Sequence, residues 1–260
     1  LGLNKVLAFD LMRQLRQSGA LCCNDAKSCY DRIVHSIAIL CMVRLGALFA
    51  PVISMFKTLQ AAVYTIRTVY GDSDSTFRSP RTTPFQGVGQ GNGCGPALWV
   101  AVSAPIIQML YTAGFGLTFL SAISGTLVVV ACFAFVDDTD VIHSRTNASG
   151  EEIGKEMQAV MDTWEGGIRA TGGALEPSKS HWYLLDFKWI PQQLRWNYRL
   201  IHELPGTLHV RNPQGQRETL ERVEINEGRI TLGINIAPDG NQEGEVNYLM
   251  TKVRQWISRF

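Results

Sequence analysis

The chain has 260 residues, of which 46% are hydrophobic and 18% charged, a composition that excludes a disordered segment and supports one large domain or two small ones. Its net charge of +1 does not announce a nucleic-acid binder, because such proteins usually leave a basic footprint. The charge is unevenly spread: residues 1–81 carry ten Lys/Arg against five Asp/Glu, residues 137–260 carry fourteen against eighteen, and Thr82–Val136 has no charged side chain. A basic front half could meet phosphates; solvated faces of differing charge are the plain alternative.

The first residue is leucine, which points to a piece of a longer reading frame or a trimmed chain. Neither a signal peptide nor a lipidation motif stands at this start. Residues 4–17 read as an amphipathic helix with Val6, Leu7, Phe9, Leu11 and Leu15 inward, ended by Gly19. Ala20 to Asn24 is a short apolar strand that runs into Asp25. Tyr30 to Leu45 reads as one helix with Ile33, Ile37, Ile39 and Leu40 mostly inward, and 49–61 as another. Val63 to Tyr70 is β-prone and closes at a Gly71-Asp72 turn. Glycines punctuate 84–96, and a helix from Pro96 to Thr112 follows, with a kink or break expected at Pro105.

Leu117 to Val136 is apolar enough to raise a transmembrane span. Its β-branched Leu127-Val128-Val129-Val130-Ala131-Cys132-Phe133 core and its small and polar residues favour a buried central strand instead, and no membrane association. A tight turn then carries Asp137-Asp138, and Thr139 to His143 is the return strand. Residues 150–170 form a helix starting near Ser149, with Glu151 and Glu152 in its first turn. Short strands follow to about Ala237, with turns at Asn212-Pro213-Gln214-Gly215 and Asn226-Glu227-Gly228, and a last helix covers Glu245 to Phe260. The six cysteines form no C-x-x-C pair and sit mostly in apolar runs. That usage fits free thiols in a reducing, intracellular compartment, nucleus and cytoplasm being indistinguishable.

Asp25, Asp137 and Asp138 carry the chemical interest. Each sits at the end of an apolar strand, where a carboxylate is costly unless something pairs with it. No Lys or Arg lies between 82 and 144. Hard divalent cations would satisfy such oxygens, and two of them together can activate a hydroxyl and stabilise a leaving pyrophosphate. A solvated Asp-Asp at a hairpin tip is the common alternative. Likewise Tyr30 taken alone is an aromatic at a helix start, the glycines of 84–96 taken alone are a loop, and Lys179, Arg78 and Arg81 taken alone are surface cations. The glycines fit neither the dinucleotide fingerprint nor the P-loop.

Four segments in order give these residues a context. Asn24-Asp25-Ala26-Lys27-Ser28-Cys29-Tyr30-Asp31 resembles the first palm motif of reverse transcriptases. Gln90-Gly91-Asn92-Gly93-Cys94-Gly95-Pro96-Ala97-Leu98-Trp99 resembles the second, Phe135-Val136-Asp137-Asp138 the third, and Gly172-Gly173-Ala174-Leu175-Glu176-Pro177-Ser178-Lys179 the fourth. Leu232-Gly233-Ile234 is similar to a later Leu-Gly element of retroelement enzymes, those of the non-long-terminal-repeat kind above all. Gly95 stands where the family has Ser, Cys94 where it has Leu, and Cys29-Tyr30 where it has Ala-Phe.

The resemblance implies an α/β (α+β) polymerase palm, an antiparallel sheet backed by helices, with partial fingers and the start of a thumb. Residues 1–44 would be the first palm part with an N-terminal helix, 45–84 a fingers-like segment, 85–240 the palm with its catalytic hairpin and a β extension, and 241–260 the start of the thumb. It implies RNA-directed DNA synthesis with two Mg²⁺ ions, Mn²⁺ being the substitute, held by Asp25 and Asp137 with Asp138 a weaker ligand. Tyr30 would be the sugar gate, Gln90, Gly91 and Arg81 would touch template or nucleotide, and Lys179 would protonate the pyrophosphate. The implied partners are an RNA template with a DNA or RNA primer, deoxynucleoside triphosphates, and the missing fingers and thumb parts of a parent polyprotein. A viral-type RNA-dependent RNA polymerase and a non-catalytic relic that only binds nucleic acid are the alternatives. Tyr30, Gln90-Gly91 and Val136 argue against the first, and three intact Asp residues against the second.

Overall fold

The computed structural model describes residues 2–80, 82–89, 91–135, 138–231 and 233–259. Alternation along one central strand organises the fold. In β1 (Gly19–Asn24) every residue is buried, so both faces need cover. Ala20 and Cys22 pack into one apolar cluster, Leu21 and Cys23 into another on the opposite face.

Antiparallel neighbours flank β1: β7 (Asp138–Ser144) on one side and β8 (His181–Leu185) on the other. The hairpin strands β4 (Leu117–Leu120) and β5 (Leu127–Val130) extend the sheet past β7. There β6 (Cys132–Phe135) also pairs with β7, and β13 (Glu221–Arg222) runs parallel to β8 at the far edge. Among the described residues the sheet is thus antiparallel at its centre, with parallel pairings only at β4–β7 and β13–β8.

One face is covered by α2 (His35–Arg44), α3 (Phe49–Gln60), α4 (Gly95–Thr112) and α5 (Gly150–Ala170), which supply Ala38, Phe56, Trp99, Ile106, Met157 and Trp164 to the larger cluster. The other face receives Phe9 and Met12 of α1 (Gly2–Leu15). Four small two-stranded ribbons complete the strands: β2 (Val63–Thr68) with β3 (Gly71–Arg78), β9 (Phe187–Ile190) with β10 (Arg195–Tyr198), β11 (His209–Arg211) with β12 (Arg217–Thr219), and β14 (Arg229–Thr231) with β15 (Ile234–Ile236). The last helix is α6 (Glu243–Ile257). Among the described residues no helix is long and apolar enough to cross a membrane, and all six cysteines are free thiols.

Several sequence expectations are corrected. Helix α1 turns Lys5, Ala8, Phe9 and Met12 inward and leaves Leu7 and Leu15 exposed, because its inner face follows the groove beside β1 and β15. The expected single helix from Tyr30 splits into a 3-10 turn, Cys29–Arg32, and α2. It breaks because the Ile33 carbonyl accepts the Gly87 N–H and the Val34 N–H donates to the Thr171 carbonyl, so both backbone groups serve tertiary partners. Leu40 faces solvent. Gly71 opens β3 rather than closing a turn; Val69 and Tyr70 form the tip.

The expected buried central strand through Leu127–Phe133 is two strands broken at Ala131, and β5 lies at the sheet edge with Leu127 exposed. Apolar β-branched runs cannot by themselves reveal their place in the sheet order. Helix α4 runs unbroken through Pro105. The lost backbone bond is outweighed by the buried face of Leu98, Trp99, Val102, Ile106 and Leu110 packed between α2 and α5.

Helix α5 begins as expected: Ser149 accepts from the Glu152 N–H while the Glu152 carboxylate accepts from the Ser149 N–H. We expect Ser149→Ala to lower unfolding free energy by about 1 kcal/mol, measured by urea denaturation; an unchanged midpoint would show that the packed face of α5 alone sets its start.

Candidate active site

β1 and β7 end at the same edge of the sheet. Their register pairs Cys23 with Asp140 and Asn24 with Thr139, and Asp25 follows the last pair on one strand as Asp138 precedes it on the other. Parity then gathers side chains on one face. Cys23 and Asp25 share it on β1 and its extension, Asp138 and Asp140 on β7, and His181 on β8, which pairs with Cys23. These residues line one cleft of about 130 Å³ together with Asn24, Lys179, Ile230 and Thr231. Asp25 and Lys179 also line an adjoining cleft of about 240 Å³ with Lys27, Tyr30 and Asp31. The structure therefore brings Asp25, Asp138, Lys179 and Tyr30 to one continuous surface. Asp137, Gln90 and Arg81 lie outside the described residues.

Backbone bonds fix the position of Asp25. Its N–H donates to Ser180 Oγ at 3.2 Å, and its carbonyl accepts from the Glu176 N–H at 2.9 Å. Ser180 Oγ donates in turn to the Glu176 carbonyl. One residue on, Ala26 bridges Leu175, and the Lys27 N–H donates to the Ala174 carbonyl. The first and fourth motif segments are thus zipped together, and Lys27 Nζ lies 2.6 Å from Glu176 Oε2. That contact with Lys27 holds the Glu176 carboxyl below its ordinary range. The zipper needs Gly172, whose φ is +92° and whose added Cβ would meet the Arg32 carbonyl at 2.4 Å. Lys179, at the end of the 3-10 turn Pro177–Lys179, sets Nζ 3.8 Å from Asp25 Oδ2 on an exposed side chain.

The segment 86–88 is laced to the same region. The Val88 N–H donates to the Tyr30 carbonyl. His35 Nε2 lies 2.6 Å from the Gly87 carbonyl and therefore donates, which leaves Nδ1 to accept from Gln60 Nε2 at 2.9 Å. Gly95 faces the Tyr30 ring, which a Cβ there would meet at 3.4 Å. Gly91 occupies an open left-handed turn with no atom within 4 Å of a built Cβ, and Arg78 lines a separate cleft beside Lys57.

Asp140, Cys23 and His181 of the cleft escaped the sequence reading, as did Lys5, which contacts Asp140 from α1. Asp140 is buried and paired with Lys5 at 2.7 Å. Strand alternation from Asp138 could have found Asp140; nothing local singles out Lys5. Burial opposes the charge on Lys5, but Cys23 and Asp140 beside it more than offset this and hold it above its ordinary value. Burial also raises the Cys23 thiol far above its ordinary value. His181, packed edge-to-face on Tyr183, is pushed down to about 4 by burial, with Lys5 and Arg229 adding to it.

Comparison with family models and with curated proteins finds no match. Among solved structures, apo telomerase from Candida tropicalis, truncated from its C-terminal domain, aligns over 75% of this chain and 39% of its own, at 14% identity and a TM-score of 0.46. Telomerase from Candida albicans in complex with a TWJ fragment of telomeric RNA aligns over 68% of this chain and 30% of its own, at 12% identity and 0.45. The chain spans well under half the length of either, and a likeness this partial carries no argument about function.

Because the folded pKa of His181 lies below its unfolded value of 6.5, its neutral form supports folding. That contribution is full above about pH 6.5 and is lost as pH falls toward about 4. We expect His181→Phe to reduce the stability lost between pH 7 and pH 4.5 by about 2–3 kcal/mol, read from urea unfolding at both pH values; identical losses in the two proteins would rule the group out.

Proposed function

We propose that the chain is the polymerase core of a reverse transcriptase of retroelement, non-long-terminal-repeat type, adding deoxynucleotides to a primer 3′-hydroxyl on an RNA template. The observation that carries this reading is that Asp25 and Asp138, more than a hundred residues apart in sequence, line one cleft. The order of the four motif segments supports it. Carboxylate oxygens are the donors Mg²⁺ prefers. Among the described residues no group of three or more ligands gathers for a metal, and the reading supplies the third from Asp137. When bound, two Mg²⁺ ions would make the hydroxyl a better nucleophile and stabilise the pyrophosphate as it leaves.

The chain's own residues then have distinct tasks. Asp25 and Asp137 hold both cations, and Asp138 is the weaker ligand. The zipper of Asp25–Lys27 to Ala174–Ser180 fixes the first carboxylate before substrate arrives. Lys179, on the same cleft, supplies the proton to the departing pyrophosphate. The Tyr30 ring, packed against Gly95, fills the volume that a ribose 2′-hydroxyl would need. Gln90, Gly91 and Arg81 meet template or nucleotide, with Gly91 allowing close backbone approach. In the same reading 45–84 is a fingers segment and 241–260 begins a thumb.

The test is primer extension on an RNA template by the full chain with Mg²⁺. Asp25→Ala and Asp137→Asn are each expected to reduce extension to background while circular dichroism stays native; extension retained in either removes the mechanism. Primer–template binding without extension by the unmodified chain would favour the non-catalytic reading. Tyr30→Val is expected to relax discrimination against ribonucleotides by about 10- to 100-fold, measured as the ratio of kcat/KM for the two sugars; an unaltered ratio would place the gate elsewhere.

A further inference from the structure

Lys5 is the only Lys or Arg among the described residues whose side chain is buried, at 2% exposure, and neither the apolar core nor the proposed chemistry uses it. Its ammonium has three protons and three acceptors, each on a different strand: Asp140 Oδ2 of β7 at 2.7 Å, Thr231 Oγ1 of β14 at 2.9 Å and Cys23 Sγ of β1 at 3.3 Å. All three acceptor residues line the cleft that also holds Asp25 and Asp138. A buried ion pair is a poor source of stability, since apolar residues of the same size usually serve as well. Its position is what distinguishes it: Asp140 lies two residues from Asp138 on the same face of β7.

We propose that Lys5 is a positioning residue for the candidate site: it engages Asp140 and keeps that carboxylate off the cation, so that Asp25 and Asp138 are the carboxylates this cleft offers. The inference rests on the polymerase reading. Cleft charge and strand position are then set together. One ammonium neutralises the Asp140 carboxylate and ties α1 and the β14–β15 ribbon to the strand that bears Asp138.

The experiment is Mn²⁺ titration of the full chain without nucleic acid, followed by electron paramagnetic resonance. Lys5→Met leaves the Asp140 charge unbalanced beside Asp138, and we expect Mn²⁺ to bind about tenfold tighter. Lys5→Met with Asp140→Leu removes both charges, and binding should return to within about twofold of the unmodified chain. A purely structural lysine would lower the melting temperature and leave Mn²⁺ affinity unaltered in folded Lys5→Met, which overturns the proposal. Should Lys5→Met fail to fold, Lys5→Gln, which keeps a donor to Asp140 but no charge, takes its place: about tenfold tighter binding supports the proposal and unaltered affinity overturns it, as does about a tenfold loss in the double variant, which would make Asp140 itself a ligand. Asp25→Ala separates the two readings. Mn²⁺ binding that ignores Asp25→Ala overturns the polymerase assignment and this inference with it, whereas Asp25-dependent binding that ignores Lys5 overturns this inference alone.

Discussion

The antiparallel register between β1 and β7 is the constraint on which the rest of the molecule depends. It pairs Gly19 with Ser144 at one end and Asn24 with Thr139 at the other. Both strands are buried, so a slip by one residue would send Leu21 and Cys23 into the cluster built for Ala20 and Cys22. The same slip would turn Asp140 away from Lys5 and separate Asp25 from Asp138. Core packing and site assembly are therefore one requirement. The apolar residues that fix the register also fix where the carboxylates meet.

The site is braced from several directions, which matters for any chemistry that needs carboxylates held before a substrate arrives. From β8 comes the Glu176–Ser180 turn that grips the backbone of Asp25. From the helical face comes the 86–88 segment, locked by His35 between Gly87 and Gln60 and bonded to Tyr30. From the other face comes Lys5 on α1. The ribbons β2–β3 and β9–β10 pair only within themselves and stand apart from this bracing. Exposed aromatic residues such as Tyr64, Phe77, Trp189 and Trp196 lie on them.

Local physics determined much of this from the sequence. The helix start near Ser149, with Glu151 and Glu152 in its first turn, and the apolar strand before Asp25 each read correctly, because each is written in neighbouring residues. The resemblance of four segments to one family grouped Asp25, Tyr30, Asp138 and Lys179, and these four line two adjoining clefts. Tertiary structure decided what neighbours cannot encode. The break at Ile33–Val34 exists because the backbone there bonds to Gly87 and Thr171. The Leu127–Val130 strand became an edge because sheet order depends on pairing partners, not on hydrophobicity. Lys5 went inward because an acceptor lies 226 residues away at Thr231, with Cys23 and Asp140 beside it. A single sequence shows how each segment prefers to fold; which distant polar groups will satisfy one another is settled only when the sheet closes and burial makes every unmet charge costly.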